Sequence, residues 1–125
     1  MQNDKETFKK EFKKRLYNFV LRLIRLLESL PKNGTIIIIG DQLLRSGTSI
    51  LGNYIEGQSA SSKKDFLKYI EICLKSTNES KLWICLLRDT GKIKPEEAKW
   101  FLNELNEFAN IFGQSVLTLK GKNKI

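Results

Sequence analysis

The stretch Thr35-Ile36-Ile37-Ile38-Ile39 decides how this chain folds. Five β-branched residues in a row can form a buried strand or open a helix, and periodicity alone does not separate the two. A strand needs a partner, and no second run of this kind occurs among the 125 residues. A lone strand is not stable. The segment is therefore read as a helix over about 35–56, ended by Gly57.

Toward the N-terminus, Pro31-Lys32-Asn33-Gly34 separates that helix from an earlier one. Over 4–30, Phe8, Phe12, Leu16, Phe19, Leu23, Leu26, Leu27 and Leu30 recur at helical steps of three and four. Toward the C-terminus, a third helix spans about 61–89, opening on a serine-rich cap. It closes at Thr90-Gly91-Lys92, where Gly91 suits a left-handed cap. The fourth, 95–119, has Pro95 in its first turn, then Glu96 and Glu97 at the favourable end of the helix dipole. Its stripe is Phe101, Leu105, Phe108, Phe112, Val116 and Leu119. Three short connections between four long helices predict an all-α, antiparallel up-down-up-down bundle. It forms one domain over 1–125, frayed at 1–4 and 120–125.

Composition narrows function by exclusion. The chain has 22 Lys and Arg against 14 Asp and Glu, a net charge of +8, two cysteines and no histidine. Without imidazole there is no Ser-His-Asp triad, no Cys–His pair and no histidine metal ligand. Two cysteines cannot close a structural zinc site. No cofactor or metal is expected, and the reading is non-enzymatic. Cys73 and Cys85 lie twelve residues apart on one helix. That is roughly 18 Å, beyond disulfide reach. They read as buried, reduced thiols of a cytoplasmic protein. No apolar stretch nears the roughly 18 residues of a membrane span, and the N-terminus lacks a signal-peptide core.

The helices carry more apolar surface than one bundle uses. Leu82-Trp83-Ile84-Cys85-Leu86-Leu87 is apolar around the whole circumference, and between Phe19 and Leu27 only Arg22 and Arg25 interrupt. Trp100 and Ile111 lie off the stripe of the fourth helix. Such surface needs a second burial partner, so self-association is expected.

The second helix also has a polar stripe, Gln42, Arg45, Ser49, Asn53 and Glu56, with Ser46, Gly47 and Gly52 beside it. A solvated face and a specific interhelical contact both fit it. The polar pattern Asp41, Gln42, Arg45, Ser49, Ile50, Asn53, Glu56, Gly57, then Lys64, Phe66, Ser76 and Glu79, resembles a bacterial four-helix-bundle family. Its members are encoded in intervening sequences of 23S ribosomal RNA genes. The likeness covers about 41–119, with Leu44, Leu51, Tyr54-Ile55 and Lys75 departing from the usual pattern. It implies an antiparallel bundle assembling as a homopentamer, with no established enzymatic activity. On this reading Asp41, Gln42, Arg45, Ser49, Asn53, Glu56, Gly57, Ser76 and Glu79 serve assembly. The family is more distantly similar to the accessory variability protein of diversity-generating retroelements, which partners a reverse transcriptase and nucleic acid.

Charge is uneven along the chain. Residues 1–32 hold nine Lys and Arg against four acids. Lys9, Lys10, Lys13 and Lys14 form a knob, Arg15, Arg22 and Arg25 continue it as a stripe, and Lys120, Lys122 and Lys124 make a basic tail. An antiparallel bundle brings that tail beside the knob. The expected partner is RNA or DNA backbone, held through counterion release. No recognition helix, RNP aromatic pair or GXXG loop suggests base-specific readout. Glu96, Glu97, Glu104 and Glu107 read as surface groups of the fourth helix. The alternative function is a protein–protein adaptor or scaffold for a nucleic-acid enzyme such as a reverse transcriptase.

Overall fold

Each helix begins where an otherwise unpaired backbone N–H finds a partner or is missing. In the computed structural model, which describes residues 3–121, Asn3 Oδ1 accepts from the Glu6 N–H at 2.8 Å. Asn33 Oδ1 accepts from Ile36 at 3.1 Å, and Ser62 Oγ from Asp65 at 3.1 Å. The fourth helix has no side-chain cap and starts on Pro95, which has no N–H to satisfy. The elements are α1 Asp4–Ser29, α2 Gly34–Gln58, α3 Lys63–Asp89 and α4 Pro95–Leu119. At the end of α3, Gly91 takes φ 73°, Lys92 N–H donates to Leu87 O at 2.8 Å and Gly91 N–H to Arg88 O at 3.0 Å. That is the glycine-capped termination expected there. Of the ends expected to fray, residues 1, 2 and 122–125 lie outside the described residues.

The isoleucine run is helical, and only part of it faces the core. Ile36 is buried, Ile39 half-buried, and Ile37 and Ile38 are exposed. Gly57 does not end α2, which continues to Gln58. It is buried inside the helix, where an added Cβ would lie 3.2 Å from Tyr69 Cβ. Close approach to α3, rather than a left-handed turn, is its role. Cys85 is likewise only half-buried, whereas Cys73 is buried as expected.

The helices close into a ring in chain order, α1 beside α2, α2 beside α3 and α3 beside α4. Aromatic side chains join α4 back to α1. Phe12 meets Phe108 and Phe112, and Phe19 meets Phe101 and Phe108, with ring centroids 5.3–5.8 Å apart and steeply inclined planes. Such edge-to-face contacts add to the area they bury. These large residues fill the α1–α4 interface, whereas α2 and α3 share the most extensive backbone contact in the bundle. Their shared face carries Ser46, Ser76 and Ser80, all buried. Small side chains let the two backbones come near.

Trp100 is not free surface. It stacks on Phe19 at 6.2 Å and lies under the Arg22 guanidinium at 3.9 Å. Ile111 packs on the core edge. The apolar residues left exposed are elsewhere, with Ile37 and Ile38 on α2 and Leu82 and Leu86 on α3 among them. No described helix is long and apolar enough to cross a membrane.

Candidate functional site

Lys9, Lys10, Lys13 and Lys14 stand on the first half of α1, beside the line by which Phe12 and Leu16 enter the core. All four are exposed, and none has a carboxylate partner among the described residues. Lys10, Lys13 and Lys14 line a groove of about 300 Å³ with Tyr17 of α1 and Leu51 and Ile55 of α2. Lys9, Lys10 and Lys13 also line an adjoining hollow with Glu6, Tyr54 and Gln58. The end of α4 lies near this knob, as the antiparallel order requires. Thr118 and Leu119 share a cleft with Lys5, Phe8 and Lys9. Lys120 pairs with Glu71 of α3 at 3.0 Å, and Lys122 and Lys124 lie outside the described residues.

The arginines divide differently. Arg15 holds Glu104 in a two-pronged contact, Nε to Oε2 at 3.0 Å and Nη2 to Oε1 at 2.6 Å, and also pairs with Glu107. The hydrogen bond to Glu104 pushes the Arg15 pKa further up, against an opposing effect of burial. Arg22 grips Glu97 in the same way at 3.3 and 3.0 Å. Bidentate pairs of this kind are among the stronger hydrogen-bonded contacts. Their charge is already met inside the chain. Arg25 is exposed and without an ion-pair partner among the described residues, at a hollow shared with Lys92 and Lys94. The carboxylates of Glu97, Glu104 and Glu107 therefore anchor α4 to α1, a role not anticipated from sequence. A signal was present. Arg15 to Arg22 and Glu97 to Glu104 are the same seven-residue step, run in opposite directions.

The polar stripe of α2 meets α3. Gln42 Oε1 accepts from Arg45 at 3.2 and 2.9 Å, Arg45 pairs with Glu79, and Trp83 Nε1 donates to Glu79 Oε2 at 3.0 Å. Ser49 and Ser76 hydroxyls lie 2.8 Å apart, as do those of Ser46 and Ser80. Asn53 Nδ2 donates to Ser49 O at 2.9 Å and to Ser49 Oγ at 3.0 Å. Of the two readings of the stripe, interhelical contact is the one adopted. Asp41 and Glu56 stand apart, exposed and without a partner among the described residues. Ser80, which the sequence does not single out, and Trp83, which the sequence places only in an apolar run, complete the seam. Ser46 and Ser80 could have been paired from the same antiparallel register that joins Arg45 to Glu79.

Among the described residues no group of His, Cys, Asp and Glu could hold a metal ion. The chain can offer positive charge, a polar seam and exposed apolar faces. The sequence profile of the 23S rRNA-intervening sequence protein family matches residues 9–114. The chain belongs to that family. It is similar to a solved protein of unknown function from the S23 ribosomal protein family of Bacteroides thetaiotaomicron, with 31% identity and a TM-score of 0.78. That likeness covers 83% of this chain and 96% of the other. No curated protein matches. In this intervening-sequence protein the matched span takes in the knob from Lys9 onward and the whole α2–α3 seam, and it ends before Lys120.

Proposed function

We propose that this intervening-sequence protein is a non-enzymatic cytoplasmic oligomer, a homopentamer, that holds RNA or DNA by its phosphate backbone. One observation carries the reading. Among the described residues Lys9, Lys10, Lys13 and Lys14 are exposed and unpaired, while Arg15, Arg22 and Lys120 are matched to carboxylates. Unpaired lysines release phosphate counterions without first breaking an ion pair. Arg25 adds a further unpaired charge on α1. Exposed Ile37, Ile38, Leu82 and Leu86 support burial against further copies, which would repeat the knob around an assembly. The lack of histidine supports a role without catalysis.

The same apolar residues favour a second reading, an adaptor or scaffold for a nucleic-acid enzyme such as a reverse transcriptase. Two measurements separate them. Light scattering at micromolar concentration is expected to report a multiple of the chain mass, and a monomer overturns the oligomer. Anisotropy titrations at low salt are expected to show RNA and DNA binding that is lost when Lys9, Lys10, Lys13 and Lys14 become Gln. Binding that is absent, or indifferent to those changes, gives the chain to the adaptor role.

A further inference from the structure

We propose that the α1–α2 groove takes a single-stranded stretch of RNA or DNA, with a base stacked on Tyr17 and the adjoining phosphates on Lys10, Lys13 and Lys14. The proposal rests on the reading of the lysines as a backbone site and adds which form of nucleic acid that site selects. Tyr17 is 54% exposed and makes no ring contact or hydrogen bond with any described residue. Every other ring near it in α1 is engaged: Phe8 stacks on Phe12 and Phe19 on Trp100. A large aromatic left out of the core, three lysines without a carboxylate partner among the described residues and two aliphatic residues share one groove of about 300 Å³. Ile55, on its α2 side, is itself 44% exposed.

Each part suits a different piece of a nucleotide. Lys10, Lys13, Lys14 and Tyr17 follow one another at steps of three, one and three, so they share a side of α1. From Lys10 to Tyr17 the helix rises about 10 Å, the length of about three stacked nucleotides. Lysine ammoniums neutralise phosphates in any sequence. The tyrosine ring, beside Leu51 and Ile55, offers an apolar face to a flat base. In a duplex the base faces are already covered by their neighbours, so only an unpaired strand can use Tyr17. A duplex would engage the lysines alone.

The test compares the full chain with Tyr17→Ala and Tyr17→Phe, using labelled oligo-uridine, oligo-thymidine and a blunt duplex of equal phosphate number. Tyr17→Ala is expected to weaken both single strands about ten-fold, the scale of one stacked base, and to leave the duplex unchanged. Tyr17→Phe keeps the ring and retains single-strand affinity. Equal loss on strands and duplex, or no loss on either, overturns the stacking role while leaving the lysine site intact. Failure of the unaltered protein to bind any of the three probes removes the lysine site and this proposal together. A changed oligomeric mass in Tyr17→Ala would assign the groove to a subunit contact instead.

Discussion

A methyl group added at Gly52 meets nothing within 4 Å, whereas at Gly57 it would lie 3.2 Å from Tyr69 Cβ, an atom fixed to the α3 backbone. Gly52 is interior to α2, where a glycine costs roughly 0.5–1 kcal/mol relative to alanine, and Gly57 is its penultimate residue. Gly52→Ala is therefore expected to stabilise by about that amount. Gly57→Ala, at the helix end, gains less propensity and overpacks the seam, a cost of about 1–3 kcal/mol, so it destabilises on balance. Urea midpoints of opposite sign check the pair. In sequence Gly57 reads as a helix stop, since a capping glycine and a close-packing glycine are the same letter. Only the partner helix separates them. Burial acts on two other residues through pH, pushing the Cys73 thiol from its ordinary 9.0 up to about 12 and the Tyr54 hydroxyl from 10.0 up to about 12. Well below pH 9 folded and unfolded chains both keep the thiol proton, and its stabilisation is complete. Between pH 9 and 12 the folded chain binds more protons than the unfolded one, so stability falls as pH rises. Cys73→Ala should flatten the first part of that fall, below pH 10, where the thiol contributes more than Tyr54. An unaltered decline there in denaturation curves would count against the thiol.

At the scale of elements, two interfaces of the bundle are built from opposite materials. Phenylalanines set α1 against α4, and hydroxyls set α2 against α3. Ser46 is fully buried and its hydroxyl is 2.8 Å from that of Ser80, which also donates to Ser76 O at 2.9 Å. Ser46→Ala removes one neutral hydrogen bond and leaves Ser80 a partner, so about 1 kcal/mol is expected to be lost. Ser46→Leu must force a large side chain into the fully buried contact between α2 and α3, and about 1–3 kcal/mol or more should go with it. Similar midpoints for the two variants would mean that close approach does not matter to the seam. The four helices and their antiparallel order were legible because apolar steps of three and four leave little choice of period. The pairing of polar residues was not. A stripe such as Gln42, Arg45, Ser49 and Asn53 is periodic whether it meets water or a neighbour, and only the shared register with Ser76, Glu79, Ser80 and Trp83 shows which.

For the whole molecule, the decisive quantity is not the net charge of +8 but how much of it is unmatched. The sequence shows that α1 is basic, and reading α1 alone makes Lys13 and Arg15 equivalent contributors to a phosphate site. Folding separates them, because α4 brings Glu104 and Glu107 to Arg15 and brings nothing to Lys13. A phosphate that took Arg15 would have to leave two carboxylates uncompensated, one of them largely buried. Glu104 keeps only 17% of its side-chain surface. The ionic-strength dependence of binding reads this difference directly. Each lysine that releases a counterion contributes about 0.7 to the slope of log affinity against log salt on a single strand. Lys13→Gln is expected to lower the slope by about that amount per engaged subunit. Arg15→Gln removes the same formal charge yet should leave the slope as it was, while lowering the unfolding midpoint by freeing Glu104 and Glu107. Equal drops in slope for both variants would show that phosphates compete successfully for Arg15, and the backbone site would then extend along α1 past the knob toward Arg22 and Arg25.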